Sequence, residues 1–274
     1  MLKFFGTKVS QDFSSYSKAA VVMLMSNQHM PRHMFIKFLF QPSAVVQMLV
    51  SRNMIREWKT LFSLGGILLF VGGILAIPFI MLIPLTSSIF FPSSIQNGLA
   101  AINSNVAGYE AMLLIFAAID TISLIAVLAI SLALSDVSKT VALLAFLLLL
   151  CGIFIDLAAD VPLHFALVSA ASSAAASAGS ALQYAESLLS AANISAYLAQ
   201  VYYSISIVML SAMMWLSRRF SRVASVSGVL SGLFTLPLFA FFGAAWSAWY
   251  GLGVAFGAVW SFSAGYSLLR LQGR

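Results

Sequence analysis

The basic residues of this chain recur at long intervals, each long enough for a polypeptide to cross a bilayer and come back. From Arg52 onward they are Arg52, Arg56 and Lys59, then Lys139, then Arg218, Arg219 and Arg222, then Arg270 and Arg274. Cytoplasmic flanks of membrane helices carry an excess of Lys and Arg, so each return after an apolar excursion sets both the parity and the orientation of the crossings. All fourteen Lys and Arg residues fit on one side.

A chain that is 61% hydrophobic and 8% charged has about a third of the charge of an ordinary soluble domain. A net charge of +6 does not point to nucleic acid, because the basic residues stand at the feet of apolar runs and form no separate basic domain. The lipid bilayer is the expected partner. A single cysteine, Cys151 inside an apolar run, excludes an internal disulfide framework and a CxxC metal or redox site.

The expected fold is all-α: a polytopic integral membrane protein of six transmembrane helices arranged as three hairpins. The apolar runs place the spans at about 61–85, 111–134, 141–158, 196–216, 223–241 and 246–269, near the roughly 20 residues that a helix needs to cross about 30 Å of hydrocarbon. Both termini fall on the cytoplasmic side of the cell membrane. The outer segments 86–105 and 159–195 contain no Lys or Arg. The Ala/Ser-rich stretch 159–195 is read as two interfacial helices on the outer surface, Asp160 capping the first and Gly179-Ser180 breaking the run before Ala181. Letting 161–180 cross as well would put the Arg218 cluster outside, against the charge rule. Asn193-Ile194-Ser195 matches a glycosylation sequon on that side, a three-residue pattern that also arises by accident.

Residues 1–53 differ in kind from the membrane domain 54–274. They hold Lys3, Lys8, Lys18, Arg32 and Lys37 among short apolar patches and never sustain a span. One reading is a basic amphipathic arm on the anionic inner leaflet. The other is translation from Met54, whose Met54-Ile55-Arg56-Glu57-Trp58-Lys59 is the basic, aromatic foot expected just before a first span.

Ionisable groups at membrane depth are costly, about 2.5–3.5 kcal/mol each on insertion scales, and so are the first candidates for function. Asp120 and Asp156 lie 17 residues before and 19 after Val137, the centre of the inner turn. At 1.5 Å per residue their heights differ by about 3 Å. Two carboxyls at one level, with no cation at that depth, are read as a pair that shares a proton or binds a small cation, with Asp160 one turn above Asp156. The competing reading is that they only hydrogen-bond neighbouring helices.

Asp156, Asp160 and His164 follow at i, i+4 and i+8, but Pro162 is expected to break the helix and carry His164 off the stripe. No metal site and no cofactor are therefore expected. The chain lacks HExxH, GxSxG, Walker A and GxGxxG patterns, so an enzyme is disfavoured.

Small residues recur every four positions as Ala224, Gly228 and Gly232 on the fifth span and as Gly253, Gly257, Ser261 and Gly265 on the sixth. Such faces let membrane helices approach closely, either as a tight pair or as an interface to a membrane-protein partner or second copy. Thr235-Leu236-Pro237 should kink the fifth span, and Pro78 and Pro84 should bend or end the first. Arg218, Arg219 and Arg222 are read as topology determinants touching inner lipid headgroups. The leading functional expectation is a non-catalytic accessory or scaffold component of the membrane. The alternative is a proton- or cation-coupled small-solute transporter or channel using Asp120 and Asp156.

Overall fold

The computed structural model describes residues 58–90, 95–176, 179–236 and 246–272. Both readings of the arm 1–53, and residues 237–245 at the expected outer corner, lie outside these. Every element among the described residues is helical. In chain order they are α1 (Lys59–Phe90), α2 (Ile95–Ser104), α3 (Val106–Leu134), α4 (Lys139–Ile155), a π turn (Asp156–Asp160), α5 (Val161–Ala176), α6 (Ser180–Leu216), α7 (Arg222–Thr235) and α8 (Trp246–Gln272). Five helical stretches are long and apolar enough to cross a membrane: Lys59–Met81, Val106–Leu134, Lys139–Ala171, Ser180–Leu216 and Ala248–Leu271. Their outward faces carry large apolar side chains such as Ile74, Met81, Leu114, Phe154 and Leu216, which are exposed. That surface suits contact with lipid.

Local chemistry explains most of the boundaries. Asn105 caps α3 by accepting from the Gly108 amide, Ser138 caps α4 by accepting from Val141, and Ser221 caps α7 by accepting from Ala224. Glycine is required at the turn into α6, where Gly179 has a φ of 107°. Pro78 and Pro84 do not end α1, which continues to Phe90. The kink expected at Pro237 falls at the edge of the described residues. Leu236 before it is extended, so α7 stops at Thr235 after 14 residues, about 21 Å against the roughly 30 Å of a crossing.

Six legs pack around a common axis in the order α3, α1, α8, α7, α6, α4, and α4 meets α3 again to close the ring. Neighbours run antiparallel. Gly65 of α1 faces Ala129 of α3 and Gly66 faces Gly265 and Leu269 of α8, while Gly232 of α7 faces Ser204 and Val208 of α6. Side-chain hydroxyls tie further neighbours in the ring: Ser206 donates to the Ala145 carbonyl at 2.7 Å, Ser231 to Gly253 at 2.8 Å, and Ser204 meets Thr235 at 3.1 Å.

This arrangement brings Lys59, the α3–α4 turn with Lys139, the α6–α7 turn with Arg218, Arg219 and Arg222, and Arg270 to one end of the bundle. Arg219 locks two of these turns together. Its Nη1 donates to the Ala133 carbonyl at 2.9 Å and its Nη2 lies 2.7 Å from Asp136 Oδ2. Arg222 instead stacks over the Trp215 ring at 5.1 Å and Arg218 is exposed. Of the three expected headgroup contacts, Arg219 is thus engaged within the protein.

The opposite end differs from the expected pair of separate surface helices. The chain from Lys139 stays helical through the π turn to Ala176, and the stretch 181–192 is the first part of the 37-residue α6. Asp160 therefore caps no new helix. With α2, these extensions form a cap whose core includes Leu99, Ile102, Tyr109, Met112, Leu167 and Leu189. Asn103 pins α2 to α5 by donating to the Ala171 carbonyl at 2.9 Å.

Close helix packing should show itself in a glycine pair. A Cβ at Gly265 would stand 2.8 Å from the Gly66 carbonyl oxygen, whereas one at Gly72 would meet nothing closer than Ile122 at 4.0 Å. Gly265→Ala is expected to cost about 1–3 kcal/mol of stability through overpacking, and Gly72→Ala to be neutral or slightly stabilising. Thermal melting of both variants in one detergent tests this, and equal melting temperatures would contradict the close approach of α1 and α8.

Candidate functional site

Between the six legs lies a cavity of about 180 Å³. Its wall is mostly apolar, built from residues such as Leu69, Phe79, Phe116 and Val127. Asp120 and Ser123 of α3, Gln200 and Tyr203 of α6, Ser231 and Thr235 of α7, and Tyr250 and Ser261 of α8 are polar residues of its lining. The helix order explains why they converge: each of these four helices turns polar positions toward the common axis.

Asp120 and Asp156, expected at one level, do face one another. Their carboxyls and the Tyr203 hydroxyl are mutual side-chain partners. All three residues are buried, Asp156 to 1% exposure. Yet Asp120 Oδ2, Asp156 Oδ2 and the Tyr203 hydroxyl make no hydrogen bond of regular geometry to any described residue. Among the described residues, every Lys and Arg lies at the basic end of the bundle, so none approaches these acids. Asp120 belongs to the cavity wall and Asp156 stands behind it.

Asp160 and His164 extend the polar cluster into the cap. His164 Nε2 is 3.3 Å from Asp160 Oδ1, and Nδ1 meets the Tyr109 hydroxyl at 2.5 Å. Ser195 of α6 donates to Asp160 at 3.3 Å. The imidazole is thus held between the Tyr109 hydroxyl on its Nδ1 side and the Asp160 carboxyl on its Nε2 side. The expected loss of His164 from the stripe is therefore corrected. The π turn widens the helix so that the Val161 amide bonds to the Asp156 carbonyl five residues back. That wider register accommodates Pro162, which lacks an amide hydrogen and would clash in an ordinary α turn.

Asp156, Asp160 and His164 nonetheless do not converge on one point. No group of three or more His, Cys, Asp or Glu side chains among the described residues could hold a metal ion. Asn193 of the sequon is in α6, close to the cap.

The small-residue stripes turn inward. Ala224 is fully buried, and a Cβ at Gly228 would strike Ser211 and the Trp260 ring. Gly232 is closed by Ser204 and Val208, Gly253 by Thr235, Gly257 by Ser231 and Gly265 by Gly66, while Ser261 faces the cavity. These positions serve packing within the chain.

Tyr109, Gln200 and Tyr203 are site residues that the sequence pattern does not single out, whereas Asp160 and His164 carry a usable signal in their i, i+4 spacing. Tyr109 and Tyr203 read as aromatics of the outer interface, because hydropathy does not say which side of a helix faces inward.

Comparison with protein-family models, with curated proteins and with solved structures finds no match for this chain. The fold and site define a helical protein with five helices suited to membrane crossing and a central cavity lined by one acidic residue, Asp120.

The cap network yields a stability prediction. Tyr109→Phe removes the hydroxyl from His164 Nδ1 in a buried setting, which should cost about 1–3 kcal/mol. The readout is the melting temperature in detergent; a phenylalanine variant as stable as the parent would mean that the tyrosine acts through its ring alone.

Proposed function

We propose that this protein is a proton-linked carrier or channel for a small solute, residing in the cytoplasmic membrane with six crossings and both ends inside. The single observation that carries this reading is the cavity that reaches Asp120 while Asp120 and Asp156 have no cation near them among the described residues. A carboxylate pair in low dielectric needs a positive charge, which a proton or a cationic solute supplies. Exchange between these two states couples solute to proton movement.

The scaffold reading is less well supported. It requires a small-residue face free for a partner, whereas the glycines of α7 and α8 that would form it are closed by neighbours within the chain. A partner or second copy would have to use the large apolar outer faces, which lipid also covers.

Orientation rests on the gathering of Lys59, Lys139, Arg218, Arg219, Arg222 and Arg270 at one end, taken as cytoplasmic by the charge rule. The sixth crossing is assigned to α7 with the residues after it, because α7 leaves the basic end and α8 returns to it. Ser221 and Asn97 are exposed at the two ends. In a Cys151→Ser background, Ser221→Cys should resist a membrane-impermeant thiol reagent applied to intact cells, and Asn97→Cys should react. The reverse pattern overturns the orientation.

Function is tested with the purified full chain in proteoliposomes containing a pH-sensitive dye, challenged in turn with neutral, anionic and cationic small solutes. At least one solute should drive a change in luminal pH that Asp120→Asn abolishes. Silence toward every class, or a signal that survives Asp120→Asn, refutes the proton-linked reading.

A further inference from the structure

The chemistry of the cavity narrows the class of solute. Asp120, at 4% exposure, and Tyr203, at 9%, both belong to its wall, with Asp156 packed against them. A buried carboxyl in a cavity wall, with no Lys or Arg near it among the described residues, marks a place for a cationic donor. Apart from the acids, the polar lining is uncharged. Most of the wall is apolar, with aromatic rings from Phe79, Phe116, Tyr250 and Trp260. Phe79 and Phe116 stack at 5.8 Å between centroids.

Each feature excludes a class. An anion would meet the carboxyl pair and no Lys or Arg among the described residues at that depth. A sugar would leave most of its hydroxyls against apolar wall. A bare alkali-metal ion would engage only the polar residues and leave the apolar and aromatic majority of the wall without a partner. A molecule with one positively charged donor group and a compact apolar body satisfies both halves of the wall, since aromatic faces attract cations and the carboxyl pair neutralises them. Size gives a bound as well: a cavity of about 150 Å³ takes up benzene, so about 180 Å³ suits one ring with a short substituent.

We infer that the cavity binds a small organic ammonium ion with an apolar body of about one ring, in exchange for the proton held between Asp120 and Asp156. This rests on the proton-linked reading above. The exchange balances: the carboxylic acid releases H⁺ to water, the resulting carboxylate pairs with the arriving R–NH₃⁺, and the charge within the cavity is unchanged. The titratable groups facing Asp120 are Asp156 and Asp160 of the π turn and Tyr203 of α6, with Tyr250 of α8 close to all three acids. Neither α1 nor α7 brings a titratable side chain to this depth.

The test is calorimetric titration of the detergent-purified full chain with benzylammonium chloride at neutral pH, in two buffers of unlike ionisation enthalpy. The comparison ligand is benzyl alcohol, of nearly the same shape and without charge. Benzylammonium should bind with release of about one proton per cation; benzyl alcohol should bind more weakly and release none. Asp120→Asn should weaken benzylammonium by roughly thirtyfold or more and leave benzyl alcohol little changed, provided its gel-filtration profile matches the parent. Gly72→Val keeps both acids and places its methyls toward the cavity, where only Ile122 lies within 4.0 Å of the Cβ. It should weaken both benzyl ligands.

Equal affinity for the alcohol and the ammonium, or cation binding without proton release, overturns the inference. Proton release on adding sodium or potassium chloride would reassign the site to inorganic ions and also overturn it, while leaving the proton-linked reading intact. No binding of either benzyl ligand to the parent protein refutes it outright. A pH change in proteoliposomes with a neutral solute would then keep the broader reading alive.

Discussion

The π turn at Asp156–Asp160 is the constraint on which the rest of this bundle depends. Pro162 cannot continue an ordinary α-helix, because it lacks an amide hydrogen and its ring meets the carbonyl four residues back. One widened turn absorbs both problems and keeps the chain helical from Lys139 to Ala176. Two consequences follow. The helix carries α5 into the cap, where it packs on α2 and α6, and the altered register leaves Asp156 facing Asp120 while Asp160 reaches His164. π turns are uncommon and frequent at functional sites. Here the turn lies beside the buried carboxyls.

Close backbone approach is the second element of the architecture. Membrane helices gain little from the hydrophobic effect against one another, so their stability relies on packing and interhelical hydrogen bonds. The glycines of α1, α7 and α8 bring backbones together on one side of the ring, at Gly66 against Gly265 and at Gly253 against Thr235. Gly152 of α4 likewise packs against the Ala199 carbonyl and the Tyr203 ring of α6, and the cavity is enclosed by these closely packed legs. The stripe that reads as an interface to another protein is thus part of what shapes an internal site.

Much of this is legible in the amino-acid sequence alone. The spacing of Lys139, the Arg218 cluster and Arg270 implies an alternating path, and the helix ends that bear them do share one end of the bundle. The matched distances of Asp120 and Asp156 from Val137 place them at one height, because rise per residue in a helix is nearly constant. Rotation about the helix axis is a different matter. In α3 and α6 the contrast between apolar and polar faces is blurred, since lipid and protein interior are both apolar, so nothing in the pattern says whether Tyr109 or Tyr203 faces lipid or core. The cap is hidden for a related reason: Ala and Ser tolerate an interface, a core or a crossing, and only tertiary contact at Ala171, Ala185 and Leu189 decides among them. His164 is hidden because the rule that proline breaks a helix holds for an α turn, and a π turn escapes it.

Charge compensation links these elements to function. A lone buried carboxyl can be protonated and serve merely as a hydrogen-bond donor, a role that would close the structure around it. Asp120 and Asp156 are instead grouped with the Tyr203 hydroxyl, and Asp120 and Tyr203 belong to the cavity wall. The cap, by contrast, satisfies its own acid, with Asp160 held by Ser195 and His164. Two acids one helical turn apart on the same helix therefore differ in a specific respect. One joins a network in the cap, and the other is paired with Asp120, whose side chain belongs to the cavity wall.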